Sequence, residues 1–525
     1  MSPDITSIAS SPSASSPPSH DGKASPQTLR DIAPNLSANP TTLPSSLDPF
    51  TITTSTGFMP LRPPITTLPA PFKPLQTLLN AMPIVKQNGI PGLLATYQLG
   101  PTVDSGALPD LLDEVNKLVV AADGKPDLAL VTAAFRDYAF LASAYLLEPC
   151  WERWSKGLEG YGLGREVLPK CIAGPLVATA KLLDIPPFMS YAAAYTLYNY
   201  RFVDPEIGVS EYGNLRLVRA FERGLDPKSS EAGFVLTHVD MVKHSPSLTK
   251  GATDLLNAIA THADRTAINK ALDLLLNTMH AVEASMETMW RHSKPQDYLG
   301  YRTFIFGITN QSMFPHGVVY QGQSNDNDDN NGNGGDGNRM SFRGESGAND
   351  SMIPLLDALL EIPMPENPLT AILKDFRGYR PKPHRKFLEG VRVMAREVGV
   401  REFCCGGRGS EDGRGSGSES VGSTLRYLRL LDCVRSFRWR HWLFAREYII
   451  RRSSHPTATG GSPIVTWLPN QLQAVMKLMC ATWDSIPTAQ RAEVSRDVVE
   501  MMANVKEQGE KLQKEVDRWC QERGE

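Results

Sequence analysis

Of the ten histidines in this 525-residue chain, His441 is the one whose setting best suits chemistry. The segment 423–452 reads STLRYLRLLDCVRSFRWRHWLFAREYIIRR, and in it Leu430, Val434, Phe437, His441, Ala445 and Tyr448 recur every three or four residues. That spacing gathers side chains on one face of a helix. Arginines 426, 429, 435, 438, 440 and 446 mark the other faces, so the imidazole turns inward among apolar neighbours. Two uses fit it. One is a core histidine, ordinary for a residue of intermediate burial. The other is a neutral ring giving a single axial bond to haem iron, since no adjacent Cys or His completes a different site. The remaining histidines suggest less. His244, His262, His280, His292 and His316 make no pair at zinc-ligand spacing on a shared helix face. His20 and His455 fall in expected loops, and His384, in the helix entry PKPHR, reads as fold-maintaining.

Composition narrows the class. Lys plus Arg number 54 against 57 Asp plus Glu, a net charge of −3, without the basic excess that tracks a nucleic-acid backbone. Nucleic acid is not an expected partner. The most apolar run, ALVTAAFRDYAFLASAYLL from Ala129, contains Arg136 and Asp137 and so reads as a buried helix, and no membrane association is expected. Seven cysteines, an odd number without C-x-x-C pairs, point to a reducing compartment. With no apolar leader or arginine-rich presequence at the start, the cytoplasm is the expected location. No G-x-G-x-x-G, P-loop or G-x-S-x-G pattern occurs, which leaves nucleotide-dependent and acyl-transfer chemistry without support.

These candidates need elements to position them. Residues 1–48, rich in Ser, Pro, Ala and Thr, read as a disordered tail. Two low-complexity tracts, 323–339 and 406–423, read as loop insertions. Elsewhere the signals are helical. Ile268, Leu272, Leu275, Met279, Val282, Met286 and Met289 step along a helix expected over about 265–292, a stripe read as core. No period-2 strands are evident, so the expected fold is all-α.

The run YRPKPHRKFL (379–388), the His441 helix and TGGS (459–462) follow in an order that resembles the C-terminal half of the indoleamine 2,3-dioxygenase family. LPKCIAGP (168–175), IPPFMSYAAAYTLYNY (185–200), GFVLTHV (233–239), GVVYQG (317–322) and RGESGANDS (343–351) resemble that family's other signatures in the same order, so the resemblance covers about 49–505. It implies an all-helical protein with a small N-terminal domain (49–224) packed on a large C-terminal domain (225–525) that encloses haem b. It also implies opening of the pyrrole ring of L-tryptophan, or a close indole analogue, by O2 to give N-formylkynurenine. That reaction belongs to tryptophan catabolism by the kynurenine pathway, which supplies NAD precursors. An electron donor to keep the iron ferrous and a monomeric state are further expectations.

Carried over residue by residue, the resemblance makes His441 the proximal iron ligand. Asp357 becomes the candidate for holding the other imidazole nitrogen, or else a solvated helix charge, and Arg438 a partner for Asp357 or for a haem propionate. Ser346 and Gly347 match a small-residue segment over the haem edge. Tyr191 and Phe234 match substrate-pocket aromatics, and Ala194 or Tyr195 a small pocket position, in a stretch one residue longer than the family's spacing. His238, one turn after Phe234, falls at a distal position, or is a core or capping histidine. Arg302 matches an arginine that grips the substrate carboxylate. Its segment, KPQDYLGYRTFIFG, is one residue short counted from Pro295, and Tyr298 stands where the family has Phe. Thr459 to Ser462 resembles a loop that closes over substrate. No residue is strictly required as acid or base; His238 and Arg302 are the distal candidates. The rivals are a divergent haem protein with weak tryptophan turnover, another indole substrate or a sensing role, and a helical scaffold that no longer binds haem.

Overall fold

The computed structural model describes residues 32–118, 124–224, 226–323, 339–405 and 417–523. Among these the chain is overwhelmingly helical, as expected, and one continuous apolar core runs from Ala33 to Leu512. The Leu128–Ser155 helix is its N-terminal axis. Asp127 caps it, accepting from the backbone nitrogens of Ala129 and Leu130 at 3.1 Å each. By length and composition this helix could cross a membrane, yet 94% of its most apolar window is buried inside the protein. Its two mid-helix charges are matched internally: Asp137 Oδ2 lies 2.6 Å from Arg219, and Asp137 Oδ1 lies 3.0 Å from Arg136. Arg136 also donates to the carbonyls of Ile65 and Tyr198. The Lys170–Leu183 helix packs along this axis.

A second group of helices carries the site. Arg265–Glu287 lies between Ser245–Ala260 and the His441 helix, Gly417–Ala445, and Trp467–Ser485 packs on the latter with Arg496–Arg523 beyond it. Among the described residues, five strands of two or three residues tie loops together: Val167–Leu168, Val318–Tyr320 and Arg339–Met340 in one sheet, Tyr200–Phe202 and Leu215–Leu217 in another. They are too short for alternation to show in the sequence.

Four expectations need correction. A tail reaching residue 48 is too long: residues 1–31 lie outside the described residues, but Ala33 is buried and Ile32 abuts Gly390. Within 406–423, residues 406–416 are outside the described residues, whereas helix has begun by Gly417 and Ser423 is buried, its hydroxyl bonded to Asn269 at 2.8 Å. Within 323–339, residues 324–338 are not described, and Arg339 pairs with Val319 in a sheet. The helix expected over 265–292 stops at Glu287 and restarts at Met289.

Candidate active site

The stripe that singled out His441 changes its role along the helix. Leu430 and Val434 are fully buried in the core, while Phe437, His441, Ala445 and Tyr448 line a cavity. The back of the helix is fixed. Trp442, fully buried, donates Nε1–H to Glu515 at 2.9 Å, and Arg446 reaches the same carboxylate at 3.0 Å. After Ala445 the chain widens into a π turn, Arg446–Ile450, where the Tyr448 hydroxyl donates to the carbonyl of Ser293 at 2.5 Å. π turns often mark functional sites.

His238 faces His441 from the Ser230–Val242 helix, which Ser229 caps through the backbone nitrogen of Ala232. Its Nδ1 lies 2.8 Å from the carbonyl oxygen of Phe234, which can only accept, so the proton is on Nδ1. Nε2 therefore carries the lone pair, and a Cβ on Gly347 would lie 3.9 Å from it. Phe234 packs in turn against Tyr298, their rings inclined at 53° with centroids 5.5 Å apart. Burial depresses the His238 pKa. Burial, with smaller contributions from the neighbouring His238 and Arg438, pushes His441 down to about 4. Both rings are neutral at pH 7.

Three backbone segments close the third wall. Gly307 and Gly344 meet so closely that a Cβ on Gly307 would lie 2.1 Å from the nitrogen of Gly344, a contact only glycine tolerates. Gly307 donates to the carbonyl of Thr459 at 2.9 Å, and the Thr459 hydroxyl donates to the carbonyl of Glu345 at 2.6 Å. Ser346, Gly347, Thr459 and Ser462 thereby reach the cavity together.

Of the residues singled out in the sequence, Phe234, His238, Tyr298, Ser346, Gly347, His441 and Thr459 line this one cavity. Tyr191 lies just behind it, edge-on to His238 with centroids 5.9 Å apart. It opens a π turn, Tyr191–Tyr195, within which Ala194 and Tyr195 are buried. Asp357 and Arg438 pair with each other at 2.7 Å, and among the described residues Asp357 makes no hydrogen bond to His441. Arg302 is fully buried behind the wall. Its guanidinium lies 4.5 Å from the Phe306 ring centre, and its Nη2 donates to the carbonyl of Thr457 at 3.0 Å. His384 is a core residue, bonded to the Ser351 hydroxyl at 3.0 Å and edge-on to Phe50 and Phe58.

Sequence reasoning missed several lining residues. Met286 and Met289 end the stripe read as core but face the cavity, and Glu345 sits inside the RGESGA motif. A lone acid among small residues was the available signal for Glu345.

The cavity and its donors fit haem. It holds about 1190 Å³ of atom-free space counting the open mouth. Its walls are mainly apolar, among them Met286, Phe437, Phe444 and Leu468. Neither ring nitrogen of His441 has a hydrogen-bond partner among the described residues, which leaves a lone pair for iron. Among the described residues no cluster of three or more His, Cys, Asp or Glu forms a competing metal site.

These features define a helical protein with a mainly apolar cavity, faced by a histidine whose ring nitrogens have no hydrogen-bond partner among the described residues. The chain belongs to the indoleamine 2,3-dioxygenase family, whose model matches residues 46–516. It is 26% identical over 384 residues to the indoleamine 2,3-dioxygenase of Saccharomyces cerevisiae, covering 68% of this chain and 75% of that one. It is 25% identical over 402 residues to indoleamine 2,3-dioxygenase 1 of Mus musculus, covering 76% and 83%. A third relative, from Fusarium equiseti, is named 6-hydroxytryptophan 2,3-dioxygenase and is 23% identical over 358 residues, covering 67% and 75%. The protein is thus an oxidoreductase of the dioxygenase class, acting on tryptophan-like substrates.

Proposed function

We propose that this protein holds haem b through His441 and opens the pyrrole ring of L-tryptophan with O2 to give N-formylkynurenine. The observation that carries the reading is His441 itself: a neutral imidazole without a protein hydrogen bond, facing a large apolar cavity. Haem, when bound, supplies the iron chemistry that lets O2 react with an indole. The chain's own residues do the rest. Apolar walls exclude water, and Phe234 offers a ring face to the indole. The Nε2 lone pair of His238 is an acceptor for a substrate N–H. Arg302, with Nε and Nη1 unpartnered, has two donors left for the substrate carboxylate. Both oxygen atoms enter the product as the C2–C3 bond breaks, so a turnover needs no net electrons; a donor serves only to keep the iron ferrous. A reducing cytoplasmic setting goes with this reading, as none of the seven cysteines is in a disulfide.

A substituted indole is the second reading, favoured by the relative named for 6-hydroxytryptophan and by the Tyr298 side chain in the cavity wall. Absorption spectra of the purified protein with and without haemin and L-tryptophan, followed by product analysis, test both. A Soret band that shifts with L-tryptophan and yields N-formylkynurenine is expected. A Soret band unmoved by L-tryptophan, with turnover only of a ring-substituted analogue, would favour the second.

A further inference from the structure

Glu345 is 3% exposed, its side chain lines the cavity, and its carboxylate has no hydrogen bond or ion pair among the described residues. A buried carboxylate without a counter-charge is costly and is ordinarily paired. Burial alone pushes its pKa up to about 8. Nearby side chains do not relieve it: the buried phenols of Tyr191, Tyr195 and Tyr298 all feel its charge, yet none bonds to it. The other carboxylate on this wall, Asp350, accepts through Oδ2 from the backbone nitrogens of Met352 and Ile353, with Oδ1 left unpartnered.

A second group nearby is equally short of partners. Arg302 is fully buried with two guanidinium nitrogens unsatisfied. It and Glu345 act with opposite sign on the same Tyr298, and they bind the same loop two residues apart, Arg302 at Thr457 and Glu345 at Thr459. No ion pair joins them. Glu345 thus lines the cavity as an unpartnered acid that an incoming cation would hold in its charged form, while Arg302 stands behind the wall with donors to spare.

We propose that Glu345 is a specificity-determining residue that binds the ammonium group of an amino-acid substrate, completing with Arg302 a two-ended site for a zwitterion. An ammonium brings three donors and the missing positive charge, and Arg302 meets the carboxylate on the other side. The inference rests on the reading of the cavity as an indole amino-acid site and adds to it a demand for the free α-amine. Indoles that have lost it bind weakly here, and N-acylated substrates are refused.

Calorimetric binding to the haem-loaded full chain tests this with three probes: L-tryptophan, tryptamine, which lacks the carboxylate, and indole-3-propionate, which lacks the amine. E345Q keeps the shape and removes the charge. It should weaken L-tryptophan and tryptamine by about 10- to 100-fold, the worth of a charge-assisted hydrogen bond, and leave indole-3-propionate within about twofold. E345D, which keeps the charge on a shorter arm, should retain more affinity for L-tryptophan than E345Q. Equal weakening of all three probes would reduce Glu345 to a packing role and overturn the proposal, as would no weakening at all. Wild-type protein that binds none of the three would instead overturn the functional reading, and this inference with it.

Discussion

Arg438 grips Asp357 with a single terminal nitrogen, Nη2 lying 2.9 and 2.7 Å from the two carboxylate oxygens, one turn before His441 on the same helix. The pair is almost completely buried and braces the Met352–Leu359 helix against the helix that carries the imidazole. Asp357→Ala leaves Arg438 charged and buried without its counter-ion. The expected loss is about 3–5 kcal/mol of unfolding free energy, measured by denaturant titration. A loss below about 1 kcal/mol would mean that the pair is solvent-screened.

His441→Ala should abolish stoichiometric haem binding while leaving the far-ultraviolet helical signal intact. It deletes the one unbonded imidazole aligned on the cavity, yet Trp442 and Arg446 still anchor the helix to Glu515. Retention of haem with an unchanged axial-ligand spectrum would show that another residue, His238 first, is the ligand.

Arg302→Ala should raise KM for L-tryptophan by about tenfold or more, through loss of charge-assisted hydrogen bonds, and raise it much less for tryptamine. Steady-state kinetics with both substrates separates the roles. An equal rise would mean that Arg302 acts only by holding the Thr457 carbonyl.

His384 makes stability fall in acid. Burial and the nearby Arg380 depress its pKa from 6.5 to about 3, so the unfolded chain takes up a proton near pH 6.5 that the folded protein refuses until far lower pH. The stabilising contribution is complete above pH 6.5 and is lost progressively as pH drops, by up to about 1.4 kcal/mol per pH unit. The stability advantage of wild type over His384→Gln should therefore shrink between pH 6.5 and pH 4, measured by urea unfolding at each pH. A constant difference would refute the linkage.

The helical fold and one wall of the site were legible because both rest on periodicity. A helix advertises the face it buries, and His441, Phe437 and Tyr448 share one. What periodicity could not give was the kind of space that face meets. Leu430 and Phe437 look alike in a pattern, yet one fills the core and the other borders a cavity. Met286 and Met289 were hidden by the same ambiguity. Glu345 was opaque for another reason, and Arg302 was located only through the family resemblance. Their importance lies in lacking partners, and an unmet charge is a property of three-dimensional surroundings, whereas spacing records only which residues share a face. The resemblance to a family located the motifs, but could not say that Asp357 belongs to Arg438.

The contact between Gly307 and Gly344 bears on how this site can evolve. Neither glycine touches the cavity, yet each is held against the other's backbone, with Thr459 bonded to the first and Glu345 following the second. In a saturation mutagenesis screen selected only for turnover, both positions should accept glycine alone, while cavity-facing positions such as Ala445 and Ile449 drift with the shape of the substrate. Substrate range can then change without moving the frame, and natural variation should gather on the lining and spare the two residues that never meet the ligand.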